Sequence, residues 1–180
     1  MNDILPEEQP WWDKVRKMAR ETAEAFGFGR IDTPIVEDVD IFIKGTGAST
    51  DIVQKQMYIL RSKKSQVLAL RPEVTPGVAR AYLEHGLFSL AQPVKLWYLG
   101  PMFRYERPQA GRLRQFYQFG TEIIGDKDPV LDAQTIQLGF CFLRSLGLKK
   151  VSLQLNSLGC STCRTIFRRT LVDYYRSKKN

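Results

Sequence analysis

Cysteine and histidine are scarce, at three and one among 180 residues. That excludes a disulfide framework, and a structural zinc would need four ligands. Cys160 and Cys163 form a CxxC, to which only Cys141 and His85 could add. The spacing fits half a zinc site, a redox pair or plain reduced thiols. Reduced thiols are the expectation, and no metal ligand is assigned. Long apolar runs are absent as well: none approaches the roughly 20 residues of a membrane helix. Acidic residues number 19 against 27 Lys and Arg, a net charge of +8. Such an excess attracts polyanions such as RNA or nucleotides, although part of it lies in the run from Arg164 to Lys179. The start, MNDILPEEQPWWDK, is acidic and punctuated by proline, unlike a secretory leader, so a cytoplasmic protein with no membrane partner is expected. No internal repeat or low-complexity tract occurs.

What is present suits one folded core. Residues 7–27 repeat apolar positions at helical steps (Trp12, Val15, Met18, Ala19, Thr22, Phe26), with Gly27 placed to stop the helix. RIDTPIVE predicts a short strand whose Pro34 confines it to an edge, bulge or interface. Residues 44–52 read as a loop. MYIL and QVLAL predict a hairpin turned around RSKKS. LRPEVTPG precedes a helix from about Val78 to His85. VKLWYLGPMFRYE predicts one bent strand or a pair, RPQAGRLR a basic loop, and QFYQFGTEII a second long strand. Asp128 and Pro129 start another helix that ends at Gly147. VSLQLN predicts a strand, and Ser161 caps a last helix. Long hairpin-joined strands with helices before and after predict an α+β domain on a mostly antiparallel sheet.

The chemistry concentrates between Leu96 and Gly125. Side chains alternate along a strand, so Phe116, Gln118, Gly120 and Glu122 share one face and Tyr117, Phe119, Thr121 and Ile123 the other. The second set is an ordinary packing face. The first combines a ring, an amide, a carboxylate and a space-leaving glycine. Arg104 and Glu106 likewise separate from Phe103 and Tyr105. Paired, the polar faces would form a platform for a ligand carrying a base and a phosphate; the alternative is a solvated face of cross-strand ion pairs. Arg107, Arg112 and Arg114 crowd the intervening loop, and arginine suits bidentate phosphate contacts. Upstream, Pro72 and Pro76 bracket Glu73 and Thr75. That bend can present a carboxylate and a hydroxyl to a ligand ammonium group, or it can cap the next helix.

FRYERPQAGRLRQFYQFGTEIIG resembles motif 2 of class II aminoacyl-tRNA synthetases, in the form found in histidyl-tRNA synthetases. LRPEVTPGVARAYLEHG resembles that family's amino-acid-binding segment. MNDILPEE, the first helix and DTPIVE resemble its N-terminus and dimer-forming motif 1, with Pro34 as the motif proline. VSLQLNSLGC resembles the strand and turn after motif 2. The resemblance runs through essentially the whole chain in family order. It implies a six-stranded antiparallel class II core flanked by helices and a homodimer. It also implies ligase activity: histidine and ATP form histidyl-adenylate, and the histidyl group then moves to tRNA(His).

Carried over position by position, Glu73, Val74, Thr75, Arg104, Gln118 and Glu122 would bind L-histidine, with Glu73 on its α-amino group and Glu122 on the imidazole. Arg104, Glu106, Arg112 and Phe116 would bind ATP. Arg104, the catalytic residue, would hold the α-phosphate and Arg112 the γ-phosphate; Glu106 would meet the adenine amino group and Phe116 would stack on the base. Magnesium is expected with ATP. Two positions depart from the common pattern: Val74 stands for a frequent glycine, and Tyr117 for a common histidine on the packing face.

The family's later histidine-binding segment with its catalytic arginine, its motif 3 and its anticodon-binding domain are not in the sequence. Residues 1–180 are therefore expected to be the N-terminal part of a class II catalytic domain, truncated, with an uncovered sheet face and edge that favour self-association. The resemblance leaves a second reading. A non-catalytic paralogue regulates ATP phosphoribosyltransferase in histidine biosynthesis, but it would have no need of the phosphate-gripping ERPQAGRLRQF loop.

Overall fold

A computed structural model describes residues 2–61, 66–107, 109–156 and 159–178. The chain divides into two compact units, Met1–Lys149 and Lys150–Asn180.

In the first unit, α1 (Gln9–Ala25) follows a short 3-10 turn and buries Ala19 and Ala23. Gly27 stops it with φ +80°, a left-handed conformation that glycine adopts without steric cost. The single strand expected from RIDTPIVE is two: β1 (Gly29–Arg30) and β2 (Val36–Asp38), with Pro34 between them and in neither. A residue that cannot donate to a ladder marks the change of sheet. Residues 39–56, expected partly as loop, are largely helical: α2 (Val39–Phe42), then wide turns at Ile43–Gly47 and Ile52–Gln56. Asp38 caps α2 by accepting from the Asp40 N–H at 2.9 Å.

β3 (Tyr58–Arg61) and β4 (Val67–Leu70) form the expected antiparallel hairpin; the RSKKS turn lies largely outside the described residues. Next come α3 (Thr75–Glu84), β5 (Val94–Phe103), β6 (Gln115–Ile124) and α4 (Pro129–Ser145). Asp128 caps α4 through the Val130 N–H at 2.9 Å, as its sequence predicts.

The six strands form two sheets, ordered β1-β5-β6 and β2-β4-β3. All pairings are antiparallel except β1 with β5, which is parallel. The α+β class holds, while the described strands form two sheets of three. β5 and β6 pair over ten residues, from Val94 opposite Ile124 to Phe103 opposite Gln115. One face of this ribbon packs Trp97, Leu99, Phe119 and Ile123 against Ala23, Phe26 and Phe28 of the α1 region and Leu138 of α4. Phe142 adds a ring 4.6 Å from Phe119. The other face packs Tyr98, Met102, Leu96, Phe116 and Ile124 with Ile31 and with Val74 and Val78 from the start of α3. Fully burying each large side chain contributes about 1.5–3 kcal/mol, so both faces stabilise the ribbon. α3 is fixed to β2 by Arg80, which bonds Glu37 at 2.6 Å and Glu84 at 2.8 Å.

In the second unit, residues 151–156 form no strand, contrary to the alternation of Val151, Leu153 and Leu155. Leu153 and Leu155 are 61% and 78% exposed, so the pattern has no buried face to serve. α5 (Ser161–Ser177) follows, and its cap is Cys160 rather than Ser161. No helix among the described residues is long and apolar enough to cross a membrane.

Candidate functional site

The polar face read from β6 lies where α3 begins. In the observed register Glu122 faces Leu96, Gly120 faces Tyr98, Gln118 faces Gly100 and Phe116 faces Met102. All four belong to the α3 side of the ribbon.

Pro72 is fully buried, and Val74 is 2% exposed within the apolar cluster of this face. The Val74 side chain is core, so any contact it makes with a ligand is through its main chain. The two residues around it turn outward. The Thr75 hydroxyl donates to Glu122 Oε1 at 2.6 Å. The Glu73 carboxylate accepts from the Thr46 hydroxyl. Neither side chain caps α3, whose capping residue is Val74 without a side-chain bond. Capping, the alternative role for Glu73 and Thr75, is thus not realised. The bend instead sends the hydroxyl to Glu122 on β6 and the carboxylate to Thr46 in the turn Ile43–Gly47.

Gly120 makes room for Tyr98, not open space. A Cβ at Gly120 would fall inside the hydroxyl end of that ring. Tyr98 therefore lies across β6, with its hydroxyl 3.5 Å from Glu122 Oε1. Burial, with the Glu122 charge next, pushes the Tyr98 phenol up to about 12, so it stays protonated at any working pH. Burial also raises the Glu122 carboxyl. The Thr75 and Tyr98 hydroxyls oppose that rise by stabilising the anion, while the Glu73 charge adds to it.

A carboxyl raised by folding binds its proton more tightly in the native state. Its contribution to stability therefore falls as pH rises from the ordinary glutamate value through the folded one. Glu122→Gln removes that dependence. The expected result is a flatter stability–pH profile in this interval by denaturant titration, with no loss of stability at neutral pH. An unchanged profile would show that Glu122 titrates normally.

Beyond Phe103 the chain leaves β5, so Arg104 and Glu106 are not strand residues as the alternation suggested. Their positions come from other bonds. The Arg104 N–H still donates to Arg114 O at 2.9 Å, prolonging the ribbon by one step. Arg104 Nε donates to Pro72 O at 2.9 Å, and its guanidinium lies 5.2 Å from the Phe116 ring centroid. Arg104 thus joins the Pro72–Thr75 bend to β6. Glu106 pairs with Arg112 at 3.3 Å, Glu106 being largely buried and Arg112 exposed. Arg114 Nε donates to Glu106 O at 3.2 Å and lies 4.5 Å from the Tyr105 ring centroid. Arg107 is exposed. Gln118 Oε1 is buried without a hydrogen-bond partner among the described residues.

The structure therefore joins Thr75 to Glu122, sets Glu73 near enough for its charge to act on Glu122, places Arg104 beside Phe116, and links Glu106 to Arg112. Three residues at this face were not singled out in the sequence. Thr46 holds Glu73, Tyr98 reaches Glu122, and Arg71 lies beneath. Arg71 is 7% exposed; its guanidinium donates to Pro101 O at 2.9 Å and Thr33 O at 2.8 Å. A Cβ at Gly100 would strike it. Burial lowers its pKa without removing its charge. A glycine facing a large residue across two strands is the signal for Tyr98, but it needs the register to be seen.

A family model described as histidyl-tRNA synthetase matches residues 1–172. A histidine–tRNA ligase of Dictyoglomus thermophilum is 48% identical over 180 residues, covering 100% of this chain and 43% of that protein. The crystal structure of apo Staphylococcus aureus histidyl-tRNA synthetase matches with TM-score 0.78 and 34% identity, over 98% of this chain and 41% of that one. A Bacillus halodurans structure, described as an ATP phosphoribosyltransferase regulatory subunit/histidyl-tRNA synthetase, matches with TM-score 0.72 and 28% identity. That match covers 83% of this chain and 38% of the other. The chain spans less than half the length of these relatives.

Proposed function

Because the chain belongs to the histidyl-tRNA synthetase family, we propose that the α3 side of its long ribbon is a histidine- and ATP-binding face that forms histidyl-adenylate. The whole protein would then pass the histidyl group to tRNA(His). The observation that carries the proposal is that Thr75 bonds Glu122 and Arg104 bonds Pro72, which ties the Pro72–Thr75 bend, with Glu73 in it, to this face. Glu73 offers a carboxylate to an ammonium group. Glu122, held by Thr75 and Tyr98, offers an acceptor to an imidazole N–H, and Gln118 Oε1 supplies a further buried acceptor.

Arg104 is proposed to hold the α-phosphate, and Phe116, beside it, to stack on adenine. Glu106 and Arg112 are proposed for the adenine amino group and the γ-phosphate, which requires their mutual ion pair to open. No protein nucleophile is needed. The histidine carboxylate attacks the α-phosphorus and pyrophosphate leaves, so the protein contributes positioning and charge stabilisation. Magnesium is proposed to enter with the nucleotide, since it commonly takes only one or two protein carboxylates beside phosphate oxygens and water. The described residues contain no group of three or more His, Cys, Asp or Glu suited to a metal ion.

We further propose that residues 1–180 are the N-terminal part of a class II catalytic domain and that the protein is a homodimer. A purely regulatory role in histidine biosynthesis is the competing reading. The basic loop from Arg107 to Arg114 favours the synthetase, because its guanidinium groups suit phosphates. Histidine-dependent ATP–pyrophosphate exchange by the purified chain tests the proposal: exchange only with histidine present is expected. Absence of exchange with both substrates bound would limit the proposal to binding.

A further inference from the structure

The CxxC at the start of α5 takes no part in the face described above. Cys160 is the capping residue of α5 and Cys163 lies in its first turn, and both are exposed. Each sulfur engages the other residue's main chain. The Cys160 N–H donates to Cys163 Sγ at 2.8 Å, and the Cys163 N–H donates to Cys160 Sγ at 3.4 Å. The Cys163 thiol also lies 3.4 Å from Cys160 O. A capping box normally built from a hydroxyl and a carboxyl is here built from two thiols. The reciprocal bonds put each sulfur within 3.4 Å of the other residue's main-chain nitrogen, so the two side chains lie side by side at the helix start. A disulfide needs Cβ atoms about 3.5–4.5 Å apart, so a small closing movement within one turn brings the sulfurs to bonding distance.

Gly159 helps hold this arrangement. Its φ is +68°, and a Cβ there would strike Cys163 Sγ. Glycine thus permits both the left-handed turn and the close seat of the second sulfur.

We propose that Cys160 and Cys163 form a thiol–disulfide exchange site, with Cys160 as attacking thiolate and Cys163 as resolving thiol, reacting with small disulfides of the glutathione type. The Cys160 thiolate attacks one sulfur of the small disulfide, forming a mixed disulfide and releasing one small thiolate. Cys163 then loses its proton to solvent, attacks Cys160 Sγ and releases the second thiolate. The protein dithiol loses two electrons and two protons. The small disulfide gains the two electrons and, on protonation, leaves as two thiols.

The division of roles follows from position at the helix start. Cys160 Sγ, on the capping residue, meets the main-chain N–H groups of both Cys163 and Thr162, whereas Cys163 Sγ accepts from the Cys160 N–H outside the helix. The Cys163 N–H, with the Cys163 thiol and the Thr162 N–H after it, lowers the Cys160 thiol to about 7. The aligned N–H groups of a helix N-terminus favour an anion at the same place. The third thiol, Cys141, is half-buried in α4 and has no cysteine beside it in sequence, so it serves as an internal reference. At pH 7, a thiol titrating near 7 has about fifteen times the thiolate of an ordinary one. Its lower intrinsic nucleophilicity cancels part of this, leaving an advantage of about threefold before exposure adds to it.

The test uses the 180-residue chain in a glutathione buffer, read by intact mass and peptide mapping. Wild type is expected to lose two hydrogens through a Cys160–Cys163 disulfide, while Cys163→Ser retains one glutathione on Cys160. On the reduced wild type, which needs no variant to fold, iodoacetamide should modify Cys160 at least about threefold faster than Cys141, with a midpoint near pH 7. Equal alkylation rates would overturn the proposal, as would glutathione as stable on wild-type Cys160 as on Cys163→Ser. Co-purified zinc that blocks alkylation of both thiols would replace it with a metal site.

Discussion

Arg104→Ala is expected to lower histidine-dependent ATP–pyrophosphate exchange by about a hundred- to a thousand-fold, the usual loss when one donor to a developing charge is removed. Arg104 is half-buried, with Nε committed to Pro72 O at 2.9 Å. That bond orients the guanidinium beside Phe116, and no described residue accepts from its terminal nitrogens, which suits the proposed phosphate contact. The substitution therefore removes a charge and also loosens the bend that presents Glu73 and Thr75. Arg104→Lys separates the two effects. A lysine keeps the charge but not the fork, so it should recover little exchange if bidentate phosphate contact is the role. Full recovery in the lysine variant would assign Arg104 a point-charge role. Undiminished exchange in the alanine variant would remove Arg104 from the site.

Arg71→Met is expected to destabilise the fold by about 3 kcal/mol, because two strong bonds from a charged donor vanish and buried carbonyls lose their partner. The donor spans three segments. Its guanidinium holds Pro101 O on β5 and Thr33 O in the β1–β2 connection, while its own main chain pairs with Ile35 O and Phe103 N. For a chain of this length the loss corresponds to a fall in melting temperature of about 6–12 °C. Methionine keeps much of the apolar stem, so the lost bonds outweigh the lost packing beside Gly100. A melting temperature within about 2 °C of wild type would mean that the carbonyls find other donors or water.

Much of this was legible in the residues. Alternation along QFYQFGTEII separated a polar face from a packing face, and the packing face is the one covered by α1 and α4. Asp128 with Pro129 marked a helix start, and Gly27 a helix end, through local chemistry that needs no tertiary context. What stayed hidden depends on pairing. Tyr98 fills the space over Gly120 only because β5 and β6 meet in this register. Arg71 reads as one more arginine until Gly100 leaves room for its guanidinium. The wide helical turns carrying Thr46 come from KGTGASTDI, whose small polar and glycine residues favour loops by propensity; contact with α3 prevails there. In 151–156 the alternation was genuine but lacked a surface to bury it.

Calorimetric titration of L-histidine into the wild-type chain and into Glu73→Ala tests the central claim most directly. Wild type is expected to bind. Removing the carboxylate that would face the ammonium group should weaken binding at least about thirtyfold, the lower end of what a lost charge pair costs. The variant should keep its fold, since Glu73 is only half-buried and its hydrogen-bond partner Thr46 can turn to solvent. Equal affinity in a folded variant, or no histidine binding by the folded wild type, would contradict the assignment of this face to histidine.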